Sequence, residues 1–150
     1  MRQLLALIFC LFLIGCSDNL PDLSSEYILN EITKKVSFNG FEQEDLKEQS
    51  VAQKYGIAPK DIENGVVYYT KDKNKSDRVI IVKAKSKDTL ENIERALSTE
   101  IVSLSDSWKD NKQEMKKIED HIFKTKDIYV IMAITNKSKE VEKVFDDCFK

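Results

Sequence analysis

The sequence predicts an α+β domain: a four-stranded, largely antiparallel sheet, made of two hairpins, with helices packed on one face. Three observations carry this expectation. VVYYT and RVIIVKAK are β-branched and aromatic runs separated by the polar DKNKSD, which reads as an antiparallel hairpin over residues 66–85. Leu90, Ile93, Leu97, Ile101, Leu104 and Trp108 recur every three or four residues, the stripe of a long amphipathic helix. HIFKTKDIYVIMAIT then reads as two more strands around a tight reversal.

Taken in order, a first helix is expected from about Asp22 to Val36, with Leu29, Ile32 and Val36 on one side, and SFNGF breaks it. Gln43 to Tyr55 is rich in helix formers and is followed by Gly56, where a left-handed cap belongs, so a second helix is expected there. IAPKDIENG connects to the first hairpin. Asp88 and Glu91 have the spacing of a capping box at the start of the long helix, and Trp108 reads as a packing anchor at its end. The charged run from Asp110 to Asp120 either continues that helix or loops. Residues 128–134 are apolar on both alternating faces, which suggests a central strand. SKEVEKVFDDCF closes the chain as a terminal helix, with Val141, Val144, Phe145 and Cys148 on its buried stripe.

The start of the chain has a different character. Leu4 to Gly15 is an apolar run preceded by Arg2 and ended by small residues and Asp18, shorter than the ~20 residues a membrane span needs. That layout is a secretory signal peptide. Leu13-Ile14-Gly15-Cys16 resembles the bacterial lipobox, and the resemblance implies that residues 1–15 are removed and that Cys16 carries diacylglycerol and fatty acyl groups such as palmitate. Cys10 follows the bulky Phe9 and falls in the removed segment. The competing reading is an uncleaved anchor with Cys16 as an ordinary residue. Residues 16–22 are then lipidated cysteine and short linker, and 23–150 a single domain. Two or three acyl chains hold a protein at a bilayer durably, so the expected address is the extracytoplasmic face of the cell membrane.

Removing 15 of 150 residues leaves 135, a length suited to one domain. The removed segment takes Arg2 and no acid from 24 basic and 26 acidic residues, leaving 23 and 26. A mildly acidic chain lacks the basic field that nucleic acid requires. The same processing leaves Cys148 as the one unmodified thiol, which cannot form an intramolecular disulfide.

Few residues suggest chemistry. His121 is the single histidine, too little with Cys148 for a zinc site or a cysteine–histidine pair. Ser103, Ser105 and Ser107 lack a nucleophile elbow, and Gly40, Gly56 and Gly65 are too scattered for a phosphate loop. Glu42-Glu44-Asp45 and Asp146-Asp147 lack calcium-loop spacing and read as solvated faces. Lys71 to Lys75 make a basic hairpin tip, either a soluble turn or a contact for phosphate-bearing polymer or headgroup. Tyr68 and Tyr69 point to opposite sides of their strand, so one is expected on an open sheet face, as cross-strand packing or as a binding surface. No catalytic residue, cofactor or metal ligand is assigned.

KYGIAPKDIENGVVYYT, SDRVIIVKAKSKDTLENIERAL and DIYVIMAITNKSKEVEKVFDDCF, in that order behind a lipobox, resemble the domain of unknown function 4358 family of small bacterial lipoproteins. The likeness runs from about Glu31 to the end, through the Tyr55-Gly56-Ile57 turn, the strand ending in Lys83, the long helix and the Tyr129 strand. Arg78 departs from an acidic residue common in that pattern, and Lys126-Asp127 replaces a glycine-containing reversal. The resemblance implies an address and a fold but no reaction. The functional expectation is a membrane-tethered, non-enzymatic domain that binds a ligand, an envelope protein or cell-wall polymer. The alternative is an envelope hydrolase using carboxylates, which requires a pocket with two of them, one with a raised pKa. A third reading, a subunit of a larger membrane complex, requires a large exposed apolar patch.

Overall fold

The computed structural model describes residues 20–150; the expectations on residues 1–19, Cys10 and Cys16 among them, lie outside the described residues. Its sheet has five strands rather than four: β1 (Phe41–Asp45), β2 (Ile62–Thr70), β3 (Arg78–Ala84), β4 (Ile122–Lys126) and β5 (Tyr129–Ile134). Every pairing is antiparallel, in the order β1-β2-β3-β5-β4. The expected hairpins are both present, as β2–β3 and β4–β5. β3 is the middle strand and β5 lies beside it, paired on both edges.

The added strand corrects the second helix, which is confined to α2 (Gln49–Lys54). FEQED shows no apolar alternation, so its strand character comes from pairing with β2, Glu42 opposite Tyr69 and Glu44 opposite Val67. An edge strand of this acidity also resists pairing with another chain.

The helices lie on both faces of the sheet, not one. Val67, Ile80, Val82, Val130, Met132 and Ile134 point to one side, where α3 (Lys87–Trp108) and α4 (Lys112–Glu119) cover them with Leu90, Ile93, Leu97, Leu104 and Ile118. Val66, Val79, Ile81, Tyr129, Ile131 and Ala133 point to the other. There α1 (Ser25–Lys35) and α5 (Ser138–Asp147) supply Ile28, Leu29, Ile32, Val141 and Phe145. The reason is in β3 and β5: strands apolar on both faces require cover on both, and all six residues of β5 are buried.

Local chemistry sets the boundaries. Ser24 caps α1 by accepting from the Tyr27 N–H at 3.1 Å. The capping box of α3 is Ser86 with Thr89, not Asp88 with Glu91: the Ser86 hydroxyl accepts from the Thr89 N–H, and the Thr89 hydroxyl from the Ser86 N–H. Asn111 ends the long helix's path and starts α4, its side-chain oxygen accepting from the Gln113 and Glu114 N–H groups. The charged run is therefore a separate helix. Trp108 is partly buried against the first core face, as an anchor should be, whereas Cys148 is only half-buried at the end of α5. Asp127 takes the left-handed conformation, φ 54°, that a glycine would otherwise supply between β4 and β5.

Asp22 and Leu23, expected as linker and helix start, are instead pinned to one end of the sheet. Lys83, 6% exposed at its side chain, donates to Asp22 at 2.5 Å and to Glu63 at 2.7 Å. The Tyr129 hydroxyl accepts from the Leu23 N–H and donates to its carbonyl, at 2.9 and 3.0 Å.

Candidate functional site

The residues weighed from the sequence do not converge. His121 directs Nδ1 at the Ile118 carbonyl, 2.6 Å away, and precedes the first residue of β4. Cys148 adjoins Phe149, whose ring packs tilted against Tyr129 beside the last residue of β4. The two lie at opposite ends of that strand. Ser105 and Ser107 donate back to the carbonyls of Ile101 and Ser103, a role internal to the helix. Among the described residues no group of three or more potential metal ligands occurs. Lys71 at the hairpin tip is paired with Glu42 at 2.6 Å.

The aromatic pair is divided between the two faces of the sheet, each ring half-buried against a core cluster. Tyr68 packs on the second core face, edge-on to Phe38 at 5.5 Å and tilted against Phe41 at 5.0 Å. Tyr69 packs on the first and donates to Glu42 at 3.2 Å.

What the fold does build is a cleft of about 710 Å³ between α3 and the segment that leaves α2. Tyr55 caps α2, Gly56 turns the chain at φ +65°, and the Ile57 N–H reaches back to the Ala52 carbonyl at 3.0 Å. This is the Tyr-Gly-Ile turn read from the sequence. Its physical effect is to send Ile57 into the core and stand Tyr55 along the wall. Pro59 then opens a short 3-10 turn over Pro59–Asp61 that closes one end.

The floor is apolar, with Tyr55, Ile57, Ile93 and Ala96 contributing. Burial pushes the Tyr55 phenol up to about 12, so it is neutral and a hydrogen-bond donor at ordinary pH. Beneath it Arg78 holds Glu100 at 2.5 Å, with their side chains 19% and 15% exposed. The rim is mixed. Lys54 is drawn to Glu44 at 3.3 Å, and Asp61 is buried and accepts from the Asn92 amide at 3.4 Å. Lys60 and Arg95 stand exposed at the mouth. With Glu100 neutralised by Arg78 and Lys54 by Glu44, the two mouth cations face the single carboxylate of Asp61, a local positive excess on an acidic chain.

A second constellation escaped the sequence reading. Lys117, 5% exposed, donates to Asp77 at 2.5 Å and to Glu114 at 2.7 Å. Glu114 also accepts from the Ser76 N–H and hydroxyl, both at 2.8 Å. Burial alone would raise the Glu114 carboxyl, but Lys117 and Ser76 outweigh it and hold it below the usual carboxylate range. Only the Lys117–Glu114 spacing was visible as an i,i+3 pair; the partners on β3's approach are 40 residues away.

A carboxyl that serves as general acid near neutral pH needs a raised pKa. The resolved carboxylate displacements, at Glu31, Glu42, Asp72, Glu114 and Asp147, are all downward. Among the described residues the large hydrophobic side chains that are exposed are Tyr27 and Val102, on separate helices. No helix among the described residues is long and apolar enough to cross a membrane.

Residues 34–135 match the family model described as Domain of unknown function (DUF4358), a span that contains the whole lining of the α2–α3 cleft. Comparison with curated proteins and with solved structures gave no significant match.

Proposed function

The chain belongs to the domain of unknown function 4358 family, and from that premise we propose that it is a lipoprotein tethered through Cys16 whose domain binds, without chemistry, an anionic ligand with an apolar body. The observation that carries this reading is the α2–α3 cleft: an apolar floor that includes Tyr55 and Ile93, with Lys60 and Arg95 at its mouth outnumbering the one carboxylate, Asp61, that faces them. Its volume of about 710 Å³ falls within the ~300–1,000 Å³ usual for ligand sites. A carboxylate or sulfonate meets the mouth cations while its apolar part is removed from water on the floor.

The hydrolase reading has less support, because the one carboxylate free to act in the cleft, Asp61, has no second carboxylate unpaired beside it. The scattered positions of Tyr27 and Val102 favour a self-sufficient domain over a subunit of a larger complex.

Two measurements test the proposal. Metabolic labelling with a fatty acid should mark the wild-type chain and leave Cys16→Ala unlabelled; equal labelling of both would refute the tether. Fluorescence titration with anilinonaphthalene sulfonate, an aromatic anion, should show saturable binding that Arg95→Glu and Lys60→Glu each weaken and that Ala96→Trp abolishes by filling the floor. Binding indifferent to all three variants would refute the cleft.

A further inference from the structure

At the end of the sheet opposite Lys83 and Tyr129, four connections meet: the α1–β1 loop, the β2–β3 tip, the α3–α4 junction and the β5–α5 loop. They enclose a second cleft, of about 380 Å³, whose floor is the Lys117, Asp77 and Glu114 network. Each connection contributes an exposed amide: Asn39, Asn74, Asn111 with Gln113, and Asn136. Turn and cap chemistry accounts for an asparagine in any one of these loops. It does not require that all four project around the same hollow.

The charge of this cleft is balanced. Its floor holds two carboxylates and one ammonium, all tied to one another or to Ser76. At the rim the Lys137 ammonium donates to the Ser37 carbonyl at 2.8 Å, across the opening, and Lys75 leans toward Asp72 at 3.7 Å. Neither an anion nor a cation is selected by such a site. Amides both donate and accept, and pair with hydroxyl groups, which do the same; Asn111, whose oxygen caps α4, offers its NH2 as donor. On one side stand Phe38 and Phe41, half-buried, their rings tilted by 53° at 5.0 Å between centroids and backed by Tyr68, an apolar wall beside the amides. A sugar ring presents this combination of surfaces, hydroxyl edges and a C–H face that packs on an aromatic ring.

We propose that the cleft formed by Asn39, Asn74, Asn111, Gln113 and Asn136 binds an uncharged saccharide, with the aromatic wall of Phe38 and Phe41 against the sugar's apolar face, one ring at a time. The site is separate from the α2–α3 cleft and stands whether or not Cys16 is lipidated. If it is, the geometry gives the site a direction: the tether leaves from the Lys83 end, so the amides face away from the bilayer toward polymer.

The test is a 15N-resolved NMR titration of the full chain in detergent micelles with two neutral probes, an N-acetylglucosamine tetramer and maltotetraose, and with inorganic phosphate as the charged comparison. Saturable shifts at Asn39, Asn111 and Asn136 with either oligosaccharide, and none there with phosphate, are expected. Gln113→Ala and Asn136→Ala should each weaken binding about fivefold, the effect of one lost hydrogen bond, while leaving anilinonaphthalene sulfonate binding at the α2–α3 cleft unchanged. Should a variant fail to fold, the wild-type shift map decides. Shifts with phosphate alone, shifts centred elsewhere, no shifts at all, or saccharide affinity unchanged in both variants would each overturn the proposal.

Discussion

Lys117→Met replaces a buried ammonium by an apolar side chain of similar length and leaves Asp77 and Glu114 facing one another. Both carboxylates lie within hydrogen-bond reach of the same nitrogen, at 2.5 and 2.7 Å, so their oxygens are no more than about 5.2 Å apart. At an effective dielectric of about 20 their repulsion is about 3 kcal/mol. Removing one partner of a buried ion pair costs about 3–5 kcal/mol in comparable settings, so the two routes to the magnitude agree. Urea unfolding followed by the fluorescence of Trp108, the chain's one tryptophan, measures it at pH 7 and again at pH 4.5. The folded Glu114 pKa is below its ordinary 4.5 in the wild type, so its contribution is present above that value and fades as pH falls through the lower folded one. In the variant the same carboxyl gains a proton more readily, and protonation relieves the repulsion. The stability gap should therefore be about 3–5 kcal/mol at pH 7 and narrow markedly at pH 4.5. Adding Glu114→Gln to Lys117→Met should recover most of the loss at pH 7, because the amide oxygen still accepts from Ser76. A gap under about 1 kcal/mol at pH 7, or one of equal size at both pH values, would refute the reasoning.

Three further outcomes follow from single contacts. Tyr129→Phe removes both hydrogen bonds to Leu23; hydrogen exchange at the Leu23 amide should accelerate, with a stability loss of about 1 kcal/mol. Gly65→Val places a Cβ 3.1 Å from the Leu46 Cβ and Cδ2, and Leu46 is fully buried; a loss of about 1–3 kcal/mol in thermal or urea unfolding is expected. The neutral Tyr55 phenol is favoured by the fold, so its contribution is complete below the ordinary value of 10.0 and is lost as pH rises toward the folded value of about 12. Tyr55→Phe should therefore gain about 1 kcal/mol relative to wild type between pH 9 and pH 11, and its alkaline absorbance titration should lack the late step.

How much of this was legible in the sequence depends on how locally each feature is encoded. The long stripe from Leu90 to Trp108 and the alternation of β5 are written in neighbouring residues, and both are present in the structure. β5 also held the information that contradicts the single helical layer: Tyr129, Ile131 and Ala133 need cover as much as Val130, Met132 and Ile134 do. β1 was illegible because its residues carry no apolar pattern and its strand state is imposed by β2. The capping box was misplaced by two residues because Ser86–Thr89 and Asp88–Glu91 both satisfy the spacing, and the backbone realises only the first. At the cleft, the Tyr55-Gly56 turn was readable. Arg78 with Glu100 was not, since a pair 22 residues apart on a strand and a helix leaves no local trace. The absence of an acid at position 78, which looked like a departure from the family pattern, has a physical role here: the cation neutralises Glu100 under the cleft floor.

The placement of Asp22 on Lys83 links the proposed address to the proposed sites. Leu20 and Leu23 pack on the second core face, and Asp22 and Leu23 are held by Lys83 and Tyr129. From Leu20 back to Cys16 is four residues, a reach of about 14 Å at full extension. A tether at Cys16 would thus act on a fixed point at one end of the sheet rather than on a loose tail. The strands run away from that point for six residues in β5, about 20 Å. A domain so held would offer the bilayer the Lys83 end and carry the amide-lined cleft at the far end. Lys83 contributes to that placement beside Tyr129: its ammonium sits 5.8 Å from the Tyr129 ring centre and pairs with both Asp22 and Glu63. Replacing it would remove one of the contacts that hold this segment at the end of the sheet, leaving the Tyr129–Leu23 hydrogen bonds and the packing of Leu20 and Leu23.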